Sequence, residues 1–435
     1  MVSRFLLLAP NALDGKDLIM NKDRIDAKNL LVALDIGTTK IAMLMAEIGL
    51  DDKINIISLE EQESAGIKDG AVVNIKEAVA AISRVVERAQ FMADNMAKDV
   101  YVGIAGRHIK GLHSTGQVAI RNKEVSEEDL RRVLDMAQTL RIPSDHEILH
   151  TLPQEFVIDG QGGIREPIGM SGTRLEVKAH IVTGAISAAQ NLKKCITLSG
   201  LTLGQMVLQP LASSMAVLSD DEKDLGVCLV DIGGGTADIA VWKQGAIRHT
   251  AVIPIAGSEV TNDIAIVLST PTKDAEFLKC ERGCALVDLV SPDESIEVPG
   301  IDERPNRRMD RQELVQVIQS RLQELYEKIH DELIREGFLR EGTERLSSGL
   351  VITGGAAQMP GMIELGEEML HMPVRLGVPK YHGSFADVVC APRFATSYGL
   401  LLSAREDWLR GRKALEAPSW ATWWNKIRGT INNVF

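Results

Sequence analysis

The chain has 435 residues, 45% of them hydrophobic and 25% charged, with a formal net charge of −12 at neutral pH. That length exceeds one compact domain, the acidity argues against a nonspecific nucleic-acid binder, and five scattered cysteines read as reduced thiols rather than a disulfide framework. No stretch approaches the roughly 20 apolar residues of a bilayer span, and the apolar run in "MVSRFLLLAP" is too short for a signal peptide.

Residues 1–29 end in the polar run "MNKDRIDAKN" and are expected to be a disordered extension, with 1–19 standing ahead of a second methionine, Met20. "LLVALDIGTTKIAMLMAEI" (30–48) then reads as a buried strand, a tight turn and a second strand. Asp35 ends the first strand, Gly37 permits the turn, and Thr38, Thr39 and Lys40 follow. The pattern is neither G-x-x-x-x-G-K-[ST] nor G-x-G-x-x-G. Backbone N–H groups, hydroxyls and an ammonium can still receive a phosphate there, although D-x-G also serves plain hairpins.

"DVYVGIAGRHIKGLHSTGQVAIR" (99–121) reads as strands, and "SEEDLRRVLDMAQTLR" (126–141) as a helix with Ser126 as its N-cap and acids in its first turn. "EILHTLPQEFVIDG" and "RLEVKAHIVTG" add further strands, so 99–183 is expected to be an inserted β-helix-β-β subdomain. A second hairpin follows in "GVCLVDIGGGTADIAVWKQG" (226–245), with Asp231, Gly233, Gly234, Gly235 and Thr236 repeating the first arrangement. Two such hairpins indicate a duplicated domain. Asp35 and Asp231 would face each other across a cleft, where paired carboxylates suit Mg²⁺ held largely through its waters.

Further on, "DAEFLKCERG" (274–283) sets Glu276 and Lys279 on one helical face, either as a site pair or as a solvated ion pair. "DERPNRRMDRQ" (302–312) clusters Arg304, Arg307, Arg308 and Arg311, which suit an acidic peptide or plain solvent. Leu314, Val317, Ile318, Leu322, Leu325 and Ile329 form the apolar stripe of a long helix and are assigned to the core. In "GLVITGGAAQMPGM" (349–362) a strand ends at Gly354–Gly355, where a flat base or ribose can lie against bare backbone. Residues 409–417 read as a polar linker. The terminal "SWATWWNKIRGTINNVF" gathers Trp420, Trp423, Trp424, Ile427, Ile431, Val434 and Phe435 on one helical face, with Lys426 and Arg428 its only charged side chains. Such a helix suits an anionic bilayer interface, with docking onto the protein's own core as the alternative.

The three strand-end loops together resemble the nucleotide signature of the actin, Hsp70 and sugar-kinase superfamily. The chain is similar in closer detail to the FtsA family of bacterial division proteins, through "LPQEFVIDGQGGIREPIGMSGTRLEVKAHIVTG" (152–184), "LASSMAVLSDDEKDLGVCLVDIGGGTADIAV" (211–241), "ERGCALV" (281–287), "DESIEVP" (293–299) and "LVITGGAAQMPGM" (350–362). The resemblance runs from Leu30 to the last residue. It implies an α/β fold of actin-like duplicated domains around a nucleotide cleft, with an inserted α+β subdomain in the first half and a C-terminal amphipathic helix. The first half would comprise 30–98, 184–222 and 388–408, the second 223–255 and 310–387 with a small subdomain at 256–309, and the membrane-targeting helix 418–435.

The implied ligands are ATP and Mg²⁺, with Glu276 and Lys279 set against ribose and adenine. The implied partners are the tail of the tubulin-like protein FtsZ, received by the small subdomain, further copies of the chain in protofilaments, later division proteins and anionic lipid, at the cytoplasmic face of the inner membrane. Efficient hydrolysis is not indicated. Asp238 stands where actin has a histidine, nothing fixes Gln190 at an attacking water, and Asp231 is the one weak catalytic candidate. A PilM-like pilus-assembly protein and a sugar-kinase-type phosphotransferase are the alternatives, neither of which gives a reason for the tail.

Overall fold

The computed structural model describes residues 29–49, 51–93, 99–302, 304–339 and 346–416. The N-terminal extension expected at 1–29, apart from its last residue, and the proposed membrane face from Trp420 to Phe435 lie outside the described residues.

The chain opens with β1 (Leu30–Ile36), β2 (Lys40–Ile48), β3 (Ile54–Glu63), the short pair β4 (Ile67–Lys68) and β5 (Ala71–Val72), α1 (Ile75–Ala93) and β6 (Asp99–Ile104). β1 is buried along its whole length, because both faces of its sheet are covered. Leu30, Val32, Leu34 and Ile36 meet α1, whose Ala78, Ala81, Ile82, Val85 and Ala89 recur at helical spacing. Leu31 and Ala33 point to the opposite face.

The inserted module follows as β7 (Lys110–Ala119), α2 (Glu127–Gln138), β8 (His146–Ile158), β9 (Gln161–Ile164) and β10 (Arg174–Ala185), an antiparallel sheet in the order β7-β10-β8-β9. Its boundary needs one correction. β6 pairs parallel with β1, so it belongs to the first sheet, and the insertion begins only after Ile104 rather than at 99. β6 and β7 follow one another with no helix between them, and pairing partners are not written in local sequence. Ser126 caps α2 as expected. Its Oγ accepts from the Asp129 N–H at 3.2 Å, while Asp129 Oδ2 accepts from the Ser126 N–H at 3.0 Å, a reciprocal capping box.

The chain returns through α3 (Ile186–Leu198), β11 (Thr202–Leu208), α4 (Gln209–Val217) and α5 (Asp220–Leu225). The second half contains β12 (Val227–Ile232), β13 (Ala237–Lys243), β14 (Ala246–Ile253), α6 (Gly257–Val267), α7 (Thr272–Arg282), the hairpin β15 (Ser295–Val298) and β16 (Arg307–Asp310), α8 (Arg311–Arg335), β17 (Leu350–Thr353), α9 (Met362–Leu370) and β18 (Val374–Leu376). α10 (Ala386–Val389) and α11 (Ala395–Glu416) close the described chain. The two large sheets run β11-β6-β1-β2-β3 and β14-β13-β12-β17-β18. α4 and α11 lie between them, for Ala212, Ala216, Phe394, Leu400 and Leu401 pack with Ala33 and Leu44 of one sheet and Leu229, Ala240 and Val351 of the other.

α11 also revises the expected linker at 409–417, which is helical as far as Glu416. Polar composition marks an exposed helix as readily as a loop. Among the described residues no helix is long and apolar enough to cross a membrane.

Ser126→Ala removes the acceptor of the α2 capping box. The substitution is expected to lower stability by about 1 kcal/mol, read as a shifted midpoint in chemical denaturation with unchanged slope.

Candidate functional site

Both predicted hairpins form, and they close alike. The Gly37 N–H donates to the Lys40 carbonyl at 2.9 Å, and the Gly233 N–H donates to the Thr236 carbonyl at 2.9 Å. Asp35 lies opposite Ala42 in the first pair, and Asp231 opposite Asp238 in the second. The spacing is the same in both copies, so the duplication read from sequence is a structural repeat. A carboxylate occupies, in the second copy, the position of an alanine in the first.

The two turns approach each other across a cleft of about 350 Å³. Asp35, Gly37, Thr38, Thr39, Lys40, Asp231, Gly233, Gly234, Gly235, Thr236, Glu276, Lys279, Gly354 and Gly355 all line it. A Cβ on Gly234 would strike the Thr39 side chain, so the turns can meet only because that residue is glycine. Gly354 has φ +92°, and a side chain there would collide with Asp231 Oδ1 and the Ile232 carbonyl.

Sequence reasoning missed the groups that hold the aspartates. Thr396 and Ser397, consecutive in the first turn of α11, donate respectively to Asp231 Oδ2 at 2.9 Å and to Asp35 Oδ2 at 3.0 Å. Ser213 of α4 donates to the same oxygen of Asp231 as Thr396, and Gln209 Nε2 donates to Asp35 Oδ1 at 3.3 Å. The signal available was a set of polar residues, in "QPLASS" and "PRFATS", at the starts of otherwise apolar helices. Gln209 and Gln358 line the cleft, whereas Gln190 is exposed on α3 and does not line it.

Charge in the cleft is poorly compensated. Asp35, Asp231 and Asp238 are 7%, 8% and 4% exposed. Burial raises the pKa of Asp35 against the pull of Lys40 and the Ser397 hydrogen bond, and burial likewise raises Asp231. For Asp238, burial and then the charge of Asp231 push the pKa up to about 7, with the Thr236 hydroxyl opposing at 3.1 Å. Its Oδ1 has no hydrogen-bond partner, an orphan buried acceptor facing a cavity. Burial lowers the pKa of Lys40, whose Nζ donates to the Arg393 carbonyl at 2.6 Å and sits 4.0 Å from the Phe394 ring centroid. A divalent cation bound with polyphosphate fits this carboxylate set and glycine cradle. Asp35 and Asp231 are the residues that would hold the ion through its waters, with charge neutralisation as its contribution.

Glu276 and Lys279 are more than a solvated pair. Lys279 Nζ donates to Glu276 Oε2 at 2.6 Å, to Thr261 Oγ1 at 2.8 Å and to the Gly257 carbonyl at 3.0 Å, at the cleft wall. The arginine cluster, by contrast, divides. Arg311 pairs with Glu294 at 2.6 Å, Arg308 donates to Ser295 at 2.6 Å, and Arg304 is exposed. Only Arg307 enters a groove of about 660 Å³ between α6, β16 and α8, where Val267, Met309, Val317 and Arg321 also sit. Val317, assigned to the core from its helical phase, is half-buried and faces this groove.

A family model described as "Cell division protein FtsA" matches residues 228–399, and one described as "SHS2 domain inserted in FTSA" matches 106–183. The chain is 48% identical over 378 residues to a cell division protein FtsA of Pseudomonas aeruginosa, covering 87% of this chain and 90% of that one. It is 39% identical over 414 residues to the Escherichia coli K12 protein of that name, covering 94% and 99%. Among solved structures, a PilM-PilN type IV pilus biogenesis complex aligns with TM-score 0.60 at 14% identity, over 86% of this chain and 98% of that one. MreB5 of Spiroplasma citri bound to ADP aligns with TM-score 0.53 at 14% identity, over 90% and 100%. At such identities the structural likeness concerns the fold alone.

A pKa raised by folding means that Asp238 stabilises the native state fully below the ordinary value of 3.8, and that this contribution is lost as pH rises through about 7. Asp238→Asn is therefore expected to flatten the decline in thermal midpoint of the ligand-free protein between about pH 4 and about pH 7. An unaltered decline refutes the assignment.

Proposed function

Because this chain belongs to the FtsA family of cell division proteins and has their actin-like fold with its inserted SHS2 domain, we propose that it binds ATP with Mg²⁺ and uses it to control assembly at the division site. The single observation carrying the nucleotide reading is the convergence of all three strand-end loops on one cleft. Lys40 and the N–H groups of the two hairpin turns would take the phosphates, Asp35 and Asp231 the hydrated Mg²⁺, Glu276 and Lys279 the ribose and adenine, and Gly354–Gly355 the flat face of the base. Gln209 and Asp238 are the polar groups available to orient a water, with Asp238 near its titration midpoint at neutral pH. Turnover is slow on this reading, since Gln209 is engaged with Asp35 rather than free to hold a water.

Assembly is the larger role. The chain tethers FtsZ filaments to the cytoplasmic face of the inner membrane, polymerises with its own copies and helps recruit later division proteins. The tail from Trp420 to Phe435 is the reversible membrane contact, its apolar face in the bilayer interface and Lys426 and Arg428 toward anionic lipid. The groove with Arg307, Val267 and Val317 receives the FtsZ tail, since it offers apolar surface beside cationic groups.

Two outcomes test this reading. Lys40→Ala should weaken ATP binding by about tenfold or more, roughly 1.4 kcal/mol, in a calorimetric titration; unchanged affinity removes Lys40 from the site. Truncation after Pro418 should abolish recruitment of FtsZ to anionic vesicles in co-sedimentation while leaving ATP binding intact. Recruitment by the truncated protein would overturn the anchor.

A further inference from the structure

Away from the nucleotide cleft, the inserted module meets the second half through a cluster of imidazoles and carboxylates. His113 on β7 and His180 on β10 are cross-strand partners, with ring centroids 5.2 Å apart. The His180 ring lies 6.1 Å from that of His249 on β14. Glu332, near the end of α8, accepts from His249 Nε2 at 2.7 Å, and Glu336, the C-cap of α8, brings Oε2 to within 3.8 Å of His249 Nδ1. One ligand atom from each of His113, His249 and Glu336 lies within 4.8 Å of the other two. These three groups come from three elements, one of them in the inserted module and two in the second half.

The chemistry of each group is that of a metal ligand. Donation from Nε2 to Glu332 fixes the His249 tautomer and leaves the Nδ1 lone pair facing Glu336. A carboxylate that orients a histidine in this way is the usual support of a ligating imidazole. Arg335 donates to Glu336 Oε1 at 3.2 Å, which leaves Oε2 free for the cluster. Arg335 also pairs with Glu332, so the carboxylate behind His249 is itself held. The cluster sits at the C-terminal end of α8, where the helix dipole favours a cation. An independent sign comes from His180. It is 0% exposed, its Nε2 meets Thr250 Oγ1 at 2.8 Å, and its Nδ1 has no partner. That orphan nitrogen belongs to the ring adjoining both His113 and His249.

We propose that His113, His249 and Glu336 form a transition-metal site, best matched to Zn²⁺, that ties the inserted module to the second half of the molecule. Two imidazoles and one carboxylate suit Zn²⁺, with a water or a further ligand completing four-coordination. Bonds of about 2.0–2.2 Å require ligand atoms about 3.3 Å apart, a closure that rotation of the exposed His113 side chain can supply. The bound ion would fix the orientation of the inserted module relative to β14, to which Gln154 already donates through the Ile247 and Arg248 carbonyls at 2.9 and 3.2 Å.

The test uses untagged, full-length protein stripped with a chelator. Calorimetric titration with Zn²⁺ should give one equivalent, and Co²⁺ in its place should show the intense visible bands of four-coordination. His113→Ala and Glu336→Gln should each weaken Zn²⁺ by about tenfold or more, and Glu332→Gln by about 10–100-fold, with circular dichroism unchanged. Retention of wild-type affinity in both His113→Ala and Glu336→Gln would overturn the site, as would absence of stoichiometric binding by the wild type. Binding that is lost in Asp231→Asn but kept in His113→Ala assigns the metal to the nucleotide cleft and equally overturns it.

Discussion

Two neighbouring hydroxyls at the start of α11 hold the molecule's functional centre together. Thr396 binds the aspartate of one half and Ser397 that of the other, from a helix packed between both central sheets. A helix offers two adjacent side chains about 100° apart, so consecutive residues can reach opposite walls. The cleft is therefore built on a shared buried layer. Any rotation of one half against the other has to move through α4 and α11, and Asp35 and Asp231 sense it directly through their hydrogen bonds.

This arrangement explains why charge is tolerated so deep in the protein. Three carboxylates are buried and Lys40 is half-buried, where desolvation penalises every ionised form. The hydroxyl and amide donors offset part of that cost, but the orphan oxygen of Asp238 marks an incomplete balance. On the proposed reading, a cation bound with polyphosphate would offset that remaining cost. Coupling between ligand and conformation then follows, because a ligand shifts an equilibrium by its differential affinity for the two states.

The inserted module adds a second contact between the halves. It grows from the first sheet, yet its strands meet β14 of the second through Gln154 and His180. That seam includes buried and part-buried hydrogen bonds made by side chains, unlike the apolar layer around α11. The groove beside α8 is separate again, walled by residues of α6, β16 and α8, and α8 packs in the core of the second half.

Much of the site was legible locally. A strand-turn-strand with Asp, Gly and Thr at fixed offsets carries its own chemistry, because the turn dictates glycine and the cleft dictates the carboxylate. The same locality made Ser126 readable as a cap. The paired hairpins, the third glycine loop and the long apolar helix are written locally, each set by periodicity or turn stereochemistry within a few residues. Only the tertiary structure decided which sheet β6 joins, that α11 continues to Glu416, that Val317 faces a groove, and that Thr396, Ser397, Ser213 and Gln209 hold the aspartates. Those outcomes depend on partners up to 362 residues away along the chain, and local side-chain pattern carries no record of the distant backbone it will meet.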